Sequence, residues 1–153
     1  MIKYLKLDDS KCIGCMACVS ACSKAYAKED NPGKARIQVL RQDSGSFRLV
    51  ACDQECRRCV AECPVEAISI NRQGVVMVDQ KRCVGCLACV AVCPTGSMRY
   101  YPLESTVFKC VACGICVKAC PSEALEIAEK EESLASRFPF EVLEALKAKG
   151  KQQ

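Results

Sequence analysis

Histidine and tryptophan are absent from this 153-residue chain, and four Tyr and four Phe are its only aromatic residues. Without imidazole there is no His-based catalytic triad, no His-ligated zinc and no haem with a His axial ligand. No apolar run approaches the roughly 20 residues that a membrane span needs. The stretch from Met1 to Asp9 lacks the long apolar core of a secretory signal, and no twin-arginine pair precedes one. A cytoplasmic location is therefore expected, where thiols stay reduced. So few large rings are thin material for an ordinary core, and cross-links or metal must supply part of the stability.

What the chain has in abundance is cysteine, 16 residues in all. A disulfide scaffold is the plain reading of so many, but it needs an oxidising setting that nothing here indicates. The thiols read as ligands instead. They fall into four groups of four. Cys12, Cys15, Cys18 and Cys22 follow C-x2-C-x2-C-x3-C, as do Cys83, Cys86, Cys89 and Cys93, and Cys110, Cys113, Cys116 and Cys120. The group Cys52, Cys56, Cys59 and Cys63 has one additional residue between its first two members. Proline follows the last cysteine in three groups, as Pro64, Pro94 and Pro121, whereas Ser23 stands there in the first.

Three cysteines at two-residue intervals wrap a tight loop whose thiolates reach three irons of one cubane. The fourth projects away and ligates the other cluster of a pair. Glycine beside the second cysteine, as Gly14, Gly85 and Gly114, lets the backbone turn sharply near the inorganic sulfides. The prolines suit the exit from a short helix carrying the fourth ligand, where no amide donor is needed. Zinc sites usually use two well-separated C-x2-C pairs, so the repeated phrase favours four 4Fe–4S clusters over zinc, or over a mixed set with one 3Fe–4S.

With these groups, and with the phrases Cys63-Pro-Val-Glu-Ala-Ile-Ser-Ile70 and Cys120-Pro-Ser-Glu-Ala-Leu-Glu-Ile127, the chain resembles a family of ferredoxin-type electron-transfer subunits. These four-cluster subunits accompany formate dehydrogenase, DMSO reductase, hydrogenase and carbon monoxide dehydrogenase. The chain's compact length and the lack of a signal or anchor most resemble the small iron–sulfur subunit of tungsten aldehyde oxidoreductases. The resemblance extends from residue 1 to about 130. It implies that Cys12, Cys15, Cys18 and Cys120 hold one cluster, and Cys110, Cys113, Cys116 and Cys22 a second. It further implies that Cys52, Cys56, Cys59 and Cys93 hold a third, and Cys83, Cys86, Cys89 and Cys63 a fourth. Independently, Cys52 to Pro94 has the length of a small two-cluster ferredoxin. Residues 52–94 would be an inner unit, residues 1–51 and 95–130 an outer one, and residues 131–153 a helical tail.

The fold class expected is α+β, with small antiparallel hairpins and short helices on the two nested ferredoxin-like units. Ile2 to Leu7 alternates and predicts an edge strand; Met16 to Glu29 predicts a helix stopped by Asn31-Pro32-Gly33. Hairpins are expected from Ala35–Arg41 with Phe47–Ala51, from Ile68–Ile70 with Val75–Val78, and from Met98–Tyr101 with Val107–Lys109. Glu123 to Arg137, rich in Ala, Glu, Leu and Lys, predicts helix, followed after Pro139 by Phe140 to Lys149. Phe140, Val142, Leu143 and Leu146 give that last stretch an apolar face for this domain or for a partner.

The formal charge of +4 counts every cysteine as neutral. Four clusters at about −2 each would bring the holoprotein to about −4. The basic surplus then compensates buried anionic clusters, and no aromatic platform interleaves with it to suggest nucleic acid. Lys11, Arg82 and Lys109 each precede a first cysteine, and Arg57 and Arg58 lie inside the second group. They either raise cluster potentials or are ordinary solvated charges. A four-thiolate cubane has no open coordination site and exchanges one electron at a time. No phosphate-cradling glycine loop and no nucleophile–base pair is present. The expected role is therefore non-catalytic: electron transfer between a catalytic oxidoreductase subunit and a second redox subunit or soluble acceptor. A free-standing polyferredoxin carrier is the alternative, an iron–sulfur regulator a third reading, and head-to-tail self-association an additional partner option.

Overall fold

Ile2–Leu7 is an apolar run broken by Lys3 and Lys6, and in an extended chain Ile2 and Leu5, three apart, point to opposite faces. This segment is strand β1, with Ile2 and Leu5 buried. It pairs antiparallel with the last strand, β6 (Leu125–Lys130), setting Ile2 opposite Lys130 and Leu7 opposite Leu125. The computed structural model describes residues 1–133, and this pairing joins its two ends. The helix predicted from Glu123 onward is thus corrected to a strand. Pro121 ends the preceding helix, Glu123 turns the chain at a left-handed φ of 56°, and β1 offers an open edge for Leu125 and Ile127. Tertiary pairing overrides the helical composition. The remainder of the tail, including Phe140, Val142, Leu143 and Leu146, lies outside the described residues.

Four helices carry the third cysteine of each group: α1 (Ala17–Ala27), which also holds Cys22, α2 (Arg58–Glu62), α3 (Ala88–Val92) and α4 (Ile115–Ala119). Each starts after a left-handed residue, Met16, Arg57, Leu87 or Gly114. The last three stop at the fourth cysteine of their group. A following proline forbids the helical backbone there, and Cys63, Cys93 and Cys120 adopt extended ψ values of 114°, 113° and 114°. Ser23 imposes no such stop, so α1 runs on to Ala27.

Two hairpins complete the strands: β2 (Gln38–Arg41) with β3 (Phe47–Val50), and β4 (Ile68–Ile70) with β5 (Val76–Val78). Ala35 and Ile37 are fully buried but precede β2. The third expected hairpin reduces to a single bridge between Arg99 and Phe108. Helix α1 packs on α4, and α2 on α3. Two apolar clusters result. One gathers Leu5, Val19, Ile37, Leu49 and Leu125 with Cys18, Cys22, Cys110 and Cys116; the other gathers Ile68, Val76, Met98 and Val107 with Cys59 and Cys89.

Candidate metal centres

The four cysteine loops share two left-handed positions. The second residue after the first cysteine is Gly14 (φ 73°), Gln54 (66°), Gly85 (69°) or Ala112 (52°). The residue after the second cysteine is Met16, Arg57, Leu87 or Gly114. Aligned on these positions, the additional residue of the second group is Glu55, whose carboxylate pairs with Lys130 at 3.0 Å. The turns aim amides inward. The N–H groups of Gln54 and Ala112 donate to the sulfurs of Cys52 and Cys110, at 3.3 and 3.4 Å.

The structure brings cysteines together across groups. One cavity is lined by Cys22 with Cys110, Cys113 and Cys116, beside Tyr26 and Arg36. Another is lined by Cys63 with Cys83, Cys86 and Cys89. The thiol neighbours of Cys18 include Cys120, Cys12 and Cys15, and those of Cys56 include Cys93. Cys59 has Cys52 and Cys56 beside it. Three further neighbour pairs link these sets in sequence: Cys18 with Cys116, Cys110 with Cys52, and Cys59 with Cys89.

Every fourth cysteine receives a backbone donor at sulfur. Ala67 N–H donates to Cys63 at 3.2 Å, Ala124 to Cys120 at 3.4 Å, Met98 to Cys93 at 3.5 Å and Arg36 to Cys22 at 3.2 Å. Burial pushes the Cys59 and Cys116 thiols up to about 12, and Cys18, Cys89 and Cys110 up to about 11. Burial also works on Cys93 and Cys120, yet donors outweigh it and hold both thiols below their ordinary value. These donors are Met98, Thr95 and Ser97 for Cys93, and Ser122, Ala124 and Glu123 for Cys120. Buried thiols need a cation to ionise, and a bound iron core supplies one. Among the described residues no three His, Cys, Asp or Glu side chains close around a single ion. Soft donors spread around a cavity, with N–H groups at sulfur, fit an iron–sulfur cluster.

The basic residues beside the loops divide. Lys11 is exposed and pairs with Asp8 at 3.9 Å, and exposed Arg82 donates to Glu66 O at 3.4 Å, so both are solvated charges. Lys109 is buried, with 1% of its surface exposed. Sequence reasoning missed Gln54, also 1% exposed. Its signal was a polar residue where the other loops have Gly or Ala. It also missed Tyr26 and Arg36. The Arg36 guanidinium lies over the Tyr26 ring, 3.8 Å from its centre. Burial first, and then a hydrogen bond with Cys113, push the Tyr26 hydroxyl upward.

The loops and their donors at sulfur fit the chemistry of ferredoxin-type 4Fe–4S domains, and three such domain models match parts of the chain. Models described as 4Fe–4S dicluster domains match residues 51–97 and 75–121, and a 4Fe–4S single cluster domain of ferredoxin I matches residues 7–70. Among relatives, the thiosulfate reductase electron transfer subunit PhsB of Salmonella typhi is 36% identical over 60% of this chain and 53% of its own length. A subunit of the tetrathionate reductase of Archaeoglobus fulgidus is 35% identical over 67% of this chain and 51% of its own. The electron transport protein HydN of Escherichia coli is 35% identical, over 64% and 59%. The chain thus spans little more than half the length of these relatives. Among solved structures, the active site complex BamBC of benzoyl coenzyme A reductase in complex with zinc matches with a TM-score of 0.52 and 25% identity. That match covers 96% of this chain and 88% of the other.

Proposed function

We propose that this chain is the electron-transfer subunit of a cytoplasmic multi-subunit oxidoreductase and carries four 4Fe–4S clusters in a row. The linked order of thiol neighbours carries the reading. Cys12, Cys15, Cys18 and Cys120 form one ligand set; Cys110, Cys113, Cys116 and Cys22 form the next. Cys52, Cys56, Cys59 and Cys93 follow, and Cys83, Cys86, Cys89 and Cys63 stand at the far end. The packing of α1 on α4 and α2 on α3 supports this nesting of an inner unit within an outer one. When bound, each cluster supplies one-electron exchange at a site with no open position. The polypeptide holds the sulfurs, donates N–H groups to them, and packs apolar side chains against them. Such donors and such burial are the protein's means of setting potential.

A row has two ends, so one end would meet the cofactor of a catalytic subunit and the other a second redox partner. The named roles of PhsB and the BamBC assembly support a catalytic partner. Among such partners we favour a tungsten- or molybdenum-dependent aldehyde oxidoreductase. No helix among the described residues is long and apolar enough to cross a membrane. The cytoplasmic setting rests on thiols that must stay reduced. Anaerobic isolation at native expression tests the reading. About sixteen irons and about sixteen labile sulfides per chain, with a co-eluting catalytic subunit, are expected. Stoichiometric zinc would refute it. A fully loaded chain with no stable partner would favour the free-standing polyferredoxin.

A further inference from the structure

Two fully buried polar side chains, Gln54 and Lys109, meet beneath the loop of Cys52 and the loop of Cys110. The ammonium of Lys109 donates to Gln54 Oε1 at 2.8 Å, to Val76 O at 2.7 Å and to Cys110 O at 2.8 Å. All three of its protons are used, which only the charged form satisfies. Every one of these acceptors is neutral. A buried cation with no anion beside it is ordinarily unstable. Here the missing counter-charge has an obvious place: the ligand sets on either side, each about −2 when loaded.

Gln54 sets the position of this charge. It occupies the left-handed site that is Gly14, Gly85 or Ala112 in the other loops, and only here does a long side chain turn inward. Its Nε2 donates to Cys110 O at 2.8 Å, while its Oε1 also accepts Val76 N–H at 3.0 Å. One amide therefore joins both loops and strand β5 to the ammonium.

We propose that Lys109, positioned by Gln54, is a fixed charge shared by the two central clusters, raising the reduction potential of both above what their thiolates alone would set. This rests on the four-cluster reading above. One electron arrives from a neighbouring set and leaves to the next; no bond forms or breaks and no proton moves. The reduced site is about one charge more negative, and the adjacent cation stabilises that extra charge. The crossing between the two cluster pairs is thereby kept from becoming the step that electrons avoid.

The test is a redox titration of the holoprotein with dithionite as reductant, followed by paramagnetic resonance and accompanied by iron analysis. Cys22→Ser and Cys93→Ser variants mark the signals of the two central clusters. Lys109→Met should lower both potentials by the equivalent of a tenfold one-electron shift, about 59 mV, and move the end clusters less. Lys109→Arg should restore both. Should Lys109→Met fail to load, Gln54→Glu decides, because a carboxylate at the ammonium should lower the same two potentials. Full iron with unmoved central potentials, or an equal shift of all four, would overturn the proposal. Iron near zero in the unaltered protein would instead overturn the four-cluster reading.

Discussion

The first cysteine group and the other three use one spacing to reach different local structures. After Cys63, Cys93 and Cys120, proline ends the helix and the chain turns through a left-handed third residue, Glu66, Gly96 or Glu123. That turn returns a nearby N–H to the cysteine sulfur, from Ala67, Met98 or Ala124. After Cys22, Ser23 lets α1 continue, and no such turn exists. The donor to Cys22 is Arg36, fourteen residues on. The intervening loop is fixed in several places. Ser23 Oγ donates to Ser20 O at 3.1 Å and accepts Asn31 N–H at 3.3 Å. Lys34 bridges Glu29 at 2.8 Å and Glu104 at 3.0 Å. Sulfur thus receives its donor in every group, but proline makes that donor local and serine makes it remote.

The largest effects should come from the fourth cysteines themselves. Cys22→Ala is expected to remove or alter the cluster of the Cys110 loop, and Cys63→Ala that of the Cys83 loop. Each variant should lose up to about a quarter of its iron. Paramagnetic spectra will identify which cluster is missing; loss from the loop that the altered cysteine itself follows would break the cross-group scheme. Next in size is Ser23→Pro. Proline inside α1 removes the bond from residue 23 to the turn before it and pushes Cys22 out of helical backbone, a loss of about 3 kcal/mol. The converse change, Pro94→Ser, should cost about 1 kcal/mol or less, mainly through a freer unfolded chain. Denaturation midpoints of the anaerobic holoproteins compare the two; equal losses would show that Ser23 and proline are interchangeable.

Much of this contrast was legible in the residues. The four cysteine phrases, the β1 strand and the turn at Asn31-Pro32-Gly33 follow from local chemistry, and Ser23 stands out in the sequence as the one position without proline after a fourth cysteine. The strand β6 was not read, although Cys120-Pro-Ser-Glu-Ala repeats the pattern of Cys63-Pro-Val-Glu-Ala, whose following Ile68–Ile70 was read as a strand. Composition after Glu123 outweighed the repeat because the deciding partner, β1, lies over a hundred residues away. Lys109 illustrates the same limit. Lys11, Arg82 and Lys109 occupy equivalent places before a cysteine. Only the meeting of two loops and a strand buries the last, and no local pattern encodes that meeting.

Glycine supplies a second form of the comparison, with a smaller effect. Gly14 and Ala112 hold the same left-handed place in their loops, so positive φ alone does not demand glycine there. A Cβ on Gly14, however, would overlap the Phe47 ring. Gly14→Ala should therefore cost about 2 kcal/mol through overpacking, and Phe47→Leu in the same chain should recover part of it. If Phe47→Leu recovers nothing, backbone strain rather than Phe47 sets the requirement.

An effect as small as that of Pro94→Ser is expected for Arg36, and it separates backbone from side chain in the remote arrangement. The Arg36 N–H serves Cys22, while its guanidinium covers Tyr26 and donates to Lys109 O at 3.2 Å. Arg36→Ala keeps the first and removes the others. A cation lying on a partly buried ring contributes about 1 kcal/mol, so the midpoint should fall slightly while iron content and the Cys110-loop signal persist. If that signal is lost instead, the guanidinium is needed to seat the loop, and the remote donor depends on a side chain where the proline-ended groups need only their own turn.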